Sequence, residues 1–132
     1  MKKKSLTTNL IEGLNKEISS KDRYRASLHI LDWIGCAFIG STAHVGKIFI
    51  DFSKNYAKGR CNILNGDSCS PEVASFVNGS LGNIFEMDDI HRTSILHPGP
   101  VIIPSALAAA QETSADSETF LNSIICGYEI MI

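Results

Sequence analysis

Along most of the chain the apolar residues recur at intervals of three and four, and nowhere is apolar and polar alternation sustained. That spacing puts apolar side chains on one face of a 3.6-residue helix and offers no half-buried strand. A chain patterned in this way can build a core only by packing helix on helix, so the expected fold class is all-α. With 132 residues, 44% of them apolar and 20% charged, it is long enough for a single unit with its own core.

The first helix is expected over Thr7 to Ile18, on Leu10, Ile11, Leu14 and Ile18. The second opens at Ser19, where Ser-x-x-Asp to Asp22 has the form of a capping box, and runs to about Ile39 before Gly40. Its stripe is Tyr24, Leu28, Leu31 and Phe38, with Ile30, Ile34 and Ala37 beside it, and deep burial is expected. Asp32 then needs a partner at a neighbouring helix end, and Gly35, unfavourable by about 1 kcal/mol in a helix interior, marks a close backbone approach. A third helix is expected over Val45 to Lys58, with Ile48, Phe49, Phe52 and Tyr56 on one face and Gly59 as its stop. Residues 60–69 are turn-rich and leave room only for a short extended piece at Cys61 to Leu64.

Ser70-Pro71-Glu72 is a helix entry: Ser to cap, Pro at the first helical position, Glu against the positive end of the dipole. The helix carries Val73, Phe76, Val77, Leu81, Ile84 and Phe85, is apolar or small nearly all round, and tolerates Gly79 and Gly82 inside it. It reads as a central helix packed on several sides. After a forced turn at His97-Pro98-Gly99-Pro100, Val101 to Gln111 is helical again. Asp116-Ser117-Glu118 opens the last helix, striped by Leu121, Ile124, Ile125 and Tyr128; its uncapped apolar end at Met131-Ile132 reads as that of a truncated chain.

Between the two most apolar helices lies Phe85 to Pro100, which holds three of the fourteen carboxylates and two of the four histidines. Carboxylates flanked by apolar sequence must be solvated, paired or used, because burying an unpaired charge costs several kcal/mol or so. Glu86, Asp88 and Asp89 also fall at the negative end of a helix, where the macrodipole disfavours them. His91, Arg92 and His97 follow directly and are the expected compensation.

The remaining composition narrows the function. A net charge of -2 carries no basic footprint for nucleic acid, and the Lys2 to Lys4 run reads as a solvated end. Polar residues from Ser5 to Asn9 stand where a signal peptide would need an apolar region, so a cytoplasmic chain is expected. No stretch has the roughly 18 uninterrupted apolar residues of a membrane span. Cys36, Cys61, Cys69 and Cys126 show no C-x-x-C pair and read as free, mostly buried thiols. Asp, Glu and His are metal-ligand types, but their spacing fits no recognised site, so no metal is expected, and with no P-loop or Gly-x-Gly-x-x-Gly signature no other cofactor is expected either.

Five pieces in order resemble the MmgE/PrpD family: Leu31-Asp32-Trp33-Ile34-Gly35, Val77-Asn78-Gly79, Glu86-Met87-Asp88-Asp89, His97-Pro98-Gly99 and Gly127-Tyr128-Glu129. The family includes 2-methylcitrate dehydratase, cis-aconitate decarboxylase and iminodisuccinate epimerase. The resemblance implies the N-terminal part, residues 1–132, of a mainly helical domain in a metabolic enzyme that is usually a homodimer and needs no metal. Family chains are several times longer, and their later histidine, lysines and tyrosine would lie beyond Ile132. Two departures stand out. The first acidic position, often Asp in decarboxylase-like members, is Glu86, and the segment from Asp89 to His97 is one residue longer. The threonine those members place after the Asp-Asp pair falls near Ile90, with Thr93 as a substitute.

On that resemblance His97, Glu86, Asp89, Asp88 and His91 form an acid–base set, with Thr93 and His97 contacting the substrate. The implied substrate is a small di- or tricarboxylate, and the implied chemistry is proton transfer beside a carboxylate, as dehydration, decarboxylation and epimerisation all require. A plainer reading has Asp88 and Asp89 hold the loop by turn hydrogen bonds and an Arg92 pair. A competing class is a catalytically inactive helical remnant or interaction module.

Overall fold

The computed structural model describes residues 4–132. They form helices α1 (Leu6–Leu14), α2 (Ser20–Thr42), α3 (His44–Ser53), α4 (Pro71–Asn83), α5 (Gly99–Thr113) and α6 (Ser117–Met131). Two-residue strands β1 (Cys61–Asn62) and β2 (Ser68–Cys69) make a minimal antiparallel ladder around a turn in which Asn65 takes a left-handed φ of 60°. The fold is mainly helical, as the spacing requires. Lys2 and Lys3 lie outside the described residues, while Lys4 pairs with Glu12 at 2.6 Å.

Local signals account for most of the helix starts. Ser19 and Asp22 form a reciprocal capping box, with side-chain to backbone bonds of 3.2 and 3.1 Å. Asp116 accepts the Thr119 N–H at 2.8 Å and opens α6. Ser70 occupies the cap position of α4, but its side chain makes no capping bond to the backbone; Pro71 and the first-turn carboxylate of Glu72 set that start. The first and third helices stop at Leu14 and Ser53, short of the expected Ile18 and Lys58, and α3 leaves α2 at a 93° bend.

Helix α4 occupies the centre, packed between α2 and α5, with α6 over both of those and α3 against its flank. Val77 and Leu81 of α4, Trp33 and Ala37 of α2, Ile103 of α5 and Ile124 of α6 meet in one core. The crossing of α2 and α4 is backbone to backbone. A Cβ at Gly40 would overlap the Leu81 carbonyl, so α2 runs through Gly40 rather than ending there. Nothing lies near Gly35, the glycine expected to mark the approach. On the other side of α4, a Cβ at Gly79 would sit 2.7 Å from the Pro100 carbonyl oxygen of α5.

The face of α2 that turns inward differs from the expected one. Tyr24, Leu28, Leu31 and Phe38 are exposed, as is Asp32, while Ala26, Trp33, Cys36 and Ala37 are buried. Small residues let α4 come close, and that steric gain outweighs the larger apolar area of the other face. Asn78 of α4, buried, accepts the Leu64 N–H and donates to the Asn62 carbonyl, both at 2.9 Å. The Asn-Gly piece therefore ties the hairpin to the central helix.

Candidate active site

The connection from α4 to α5 starts with a break. Helix α4 ends at Asn83, and Glu86 takes a left-handed φ of 50°, which turns the chain back across the helix end. A second reversal follows at Arg92 to Ile95, closed by a bridge in which His91 N–H donates to the Leu96 carbonyl at 2.9 Å. The chain then enters α5 through buried Pro98, Gly99 and Pro100.

These turns separate the two adjacent aspartates. Asp88 points inward with a side chain 1% exposed. One of its oxygens accepts Asn83 Nδ2 at 3.2 Å, and the other lies 2.7 Å from His97 Nδ1. An ionised carboxylate can only accept, so in this contact the His97 proton sits on Nδ1, and Nε2 has no hydrogen-bond partner among the described residues. His97 lines a hollow of about 640 Å³ between α4 and α5, bordered by Glu72, Ser80, Asn83 and Ser105.

Asp89 turns toward α2 and α6. It accepts the Gly99 N–H at 2.9 Å and the Tyr128 hydroxyl at 2.7 Å, and His29 Nδ1 lies 3.3 Å away. Burial first, then the Asp89 hydrogen bond and charge, raise the Tyr128 pKa, so the phenol stays protonated and donates. The expected compensation for the acidic cluster thus comes partly from elsewhere. His97 serves Asp88, but the N-terminus of α5 serves Asp89, an anion at the positive end of a helix.

The other expected site residues stand apart from these pairs. His91 bonds through Nδ1 to Ser94 at 2.7 Å and borders a second hollow of about 500 Å³, shared with Asp89, His29, Tyr128, Arg25 and Glu129. Glu86 is exposed with no side-chain hydrogen bond among the described residues, and Thr93 and Arg92 are exposed at the loop tip. Arg92 pairs with neither aspartate. The plainer reading holds in part, since both aspartates do tie the loop, but through His97, Gly99 and Tyr128. His29 was not among the expected residues; a histidine amid the apolar residues of α2 was its only signal. Tyr128 entered as a core residue and motif member, not as a partner of Asp89.

Among the described residues no three His, Cys, Asp or Glu side chains cluster as a metal site would require. Cys36, Cys61 and Cys69 are free and buried, while Cys126 is partly exposed.

The family model for the MmgE/PrpD N-terminal domain matches residues 9–132. The chain is similar to a cis-aconitate decarboxylase of Aspergillus terreus, 25% identical over 133 residues that cover 90% of this chain and 27% of that protein. It is 27% identical to the cis-aconitate decarboxylase-like protein oryM of Aspergillus oryzae, over 82% of this chain and 22% of the relative. The human cis-aconitate decarboxylase is 30% identical over 66% of this chain and 18% of its own length. The chain therefore spans about a quarter of the length of the curated relatives it matches. No solved structure gives a significant match.

Proposed function

Because the chain belongs to the MmgE/PrpD family, a family of dehydratase- and decarboxylase-type enzymes, we propose that it forms the N-terminal part of a lyase or isomerase acting on a small di- or tricarboxylate. The observation that carries this reading is the 2.7 Å contact between His97 and the buried Asp88, which occupies Nδ1 on a ring that lines the hollow and leaves Nε2 without a partner among the described residues. Asp88 fixes the tautomer and supports the imidazolium; Nε2 takes or gives the proton. In a dehydration Nε2 takes the proton from the carbon beside the carboxylate, the C–H electron pair forms the double bond, and the imidazolium returns that proton to the hydroxyl as its C–O bond breaks and water leaves. In a decarboxylation the imidazolium Nε2–H delivers its proton to the carbon that receives the electron pair left by carbon dioxide. A positioned acid–base group of this kind contributes about 10²–10⁴ in rate.

Among the described residues the hollow is lined by Glu72 but by no Lys or Arg. On this reading the cations that neutralise a polycarboxylate come from the rest of a longer protein, in keeping with the quarter-length overlap with the relatives. The 132-residue chain alone is then inactive. The same proposal includes a cytoplasmic homodimer working without a cofactor. The test is to express the longer protein and follow carbon dioxide release and water loss with cis-aconitate and 2-methylcitrate. Turnover of either supports the reading, and the absence of turnover with both, in a folded protein that also fails to epimerise a dicarboxylate, overturns it.

One observation favours the competing class. Tyr24, Leu31, Phe38 and Ile48 are each more than half exposed, a supply of outward apolar surface that an interaction module would use. A longer protein that lacks turnover but associates through this face would establish that alternative.

A further inference from the structure

Asp89 joins three helices. Its Oδ1 accepts from Gly99, the first residue of α5; its Oδ2 accepts from Tyr128 of α6 and lies near His29 of α2. Helix α5 has no cap of its own, since its cap residue is Pro98, which has no side-chain acceptor. Asp89, ten residues upstream, supplies the missing acceptor. A Cβ at position 99 would overlap Asp89 Oδ1, so the carboxylate reaches the backbone only because Gly99 stands there. Adjacent carboxylates thus grip one short turn at two points, Asp88 at the His97 ring and Asp89 at the Gly99 backbone.

We propose that Asp89, Tyr128 and His29 form a positioning network that holds the His97-Pro98-Gly99 turn and so keeps the His97 imidazole on Asp88 with its proton on Nδ1. The consequence for turnover rests on the proton-transfer reading above, whereas the geometric part stands without it. The physical argument is one of leverage across a short rigid segment. Pro98 restricts its own φ and biases His97 toward extended backbone, so little slack separates the two grips. If the Asp89 grip opens, the first turn of α5 frays and the ring is free to leave Asp88. Solvent then competes for both ring nitrogens, and the Nε2–H tautomer gains population. Tyr128 is the strongest fixed partner, because it stays protonated and at 2.7 Å donates to the oxygen that also faces His29. The His29 contact, at 3.3 Å, is the weaker one.

The experiment labels the histidines of the longer protein with nitrogen-15 and reads each ring's tautomer near neutral pH from long-range proton–nitrogen correlations. The wild-type chain should show His97 mainly with its proton on Nδ1, and Asp88→Asn should change that ratio as a positive control. Tyr128→Phe and Asp89→Asn should lower the Nδ1–H to Nε2–H ratio of His97 by about threefold or more, the coupling typical of residues in one hydrogen-bond network. His29→Gln should lower it less. A Tyr128→Phe chain with unchanged near-ultraviolet dichroism and an unchanged His97 ratio overturns the proposal, as that tyrosine would then only brace α6. Should Asp89→Asn fail to fold, Tyr128→Phe and His29→Gln still decide. In the longer enzyme Tyr128→Phe should lower kcat with KM nearly unchanged. A tautomer effect in a protein without turnover would leave the network standing and discard the proton-transfer reading, so the two failures are distinct.

Discussion

The α4–α5 connection and the outward faces of α2 and α3 are made of opposite materials and treat them in opposite ways. In the connection, Asp88 and Asp89 each find two or more polar partners inside the chain, drawn from four different segments. On the outer faces, Leu31 is 66% exposed and Phe38 55%, and Phe52 of α3 stacks edge to face on Phe76 of α4, centroids 5.7 Å apart, while both remain exposed. The asymmetry follows from the penalties. A buried carboxylate without partners costs several kcal/mol or so, and the fold cannot leave it open. Exposed apolar side chains only forgo about 25 cal/mol per Å² that burial would have returned. The chain therefore satisfies both carboxylates of its polar junction and leaves these apolar faces exposed.

The largest expected effect breaks the junction at its working end. In the longer enzyme, His97→Ala should lower turnover on a polycarboxylate by about 10²-fold or more. The effect is not confined to turnover. Removing His97 leaves the buried Asp88 carboxylate with Asn83 as its one hydrogen-bonding partner among the described residues, which should destabilise the chain by about 1–3 kcal/mol. Steady-state turnover and urea unfolding of the same variant check both halves.

Next comes Asp89→Ala, which strips the Tyr128 hydroxyl and the Gly99 N–H of their acceptor. A loss of about 2–3 kcal/mol in unfolding free energy is expected. A loss below about 0.5 kcal/mol, the level of an ordinary surface substitution, would show that the junction is not held as described.

How much of this was legible depended on the range of the contact. The helices follow from three- and four-residue spacing, and the Ser19–Asp22 capping box is local and correct. The extended piece at Cys61 showed itself, but its pairing with Ser68–Cys69 did not, because two residues carry no pattern. The buried face of α2 was misjudged since size-weighted reading favours Leu31 and Phe38, whereas Gly40 and Ala37 decide how near α4 can come. In the site, the acidic cluster and His97 lie in one stretch and were read together. Their partners Tyr128 and His29 come from other helices, and only the tertiary fold brings them to Asp89.

A smaller effect should appear at alkaline pH. Burial raises the pKa of the Cys36, Cys61 and Cys69 thiols, and burial with the Asp89 bond raises that of Tyr128. A raised pKa means the folded chain keeps its proton while the unfolded chain loses it. Stability is then fully present below the unfolded pKa and falls as pH rises past it. The melting temperature should decline above about pH 8.5 as unfolded thiols ionise, and more steeply above about pH 10 from the phenol. Tyr128→Phe should remove the second decline, whose slope approaches about 1.4 kcal/mol per pH unit, and leave the first. An unchanged profile in that variant would mean the phenol is not held protonated by the fold.

The smallest effect on stability tests the other half of the contrast, the outward face of α2. Leu31 and Phe38 sit on the side away from α4, so Leu31→Lys with Phe38→Lys removes no core contact and buries no charge. The long lysine side chains favour helix about as well as leucine, and the new ammonium groups remain in water. Unfolding free energy should move by no more than about 0.5 kcal/mol, the range of ordinary surface substitutions. Association should respond differently. The unsubstituted 132-residue chain, with this much exposed apolar area, is expected to sediment as an oligomer or aggregate at micromolar concentration and to bind an apolar dye. The doubly substituted chain should sediment closer to a monomer and bind less dye, since each charge must be desolvated before a second surface can cover it. If instead the substitutions lower stability by several kcal/mol, that face is packed within the chain in solution, and the difference between the two regions disappears. Equal sedimentation of both chains as monomers would show that the exposed apolar residues need no cover at all.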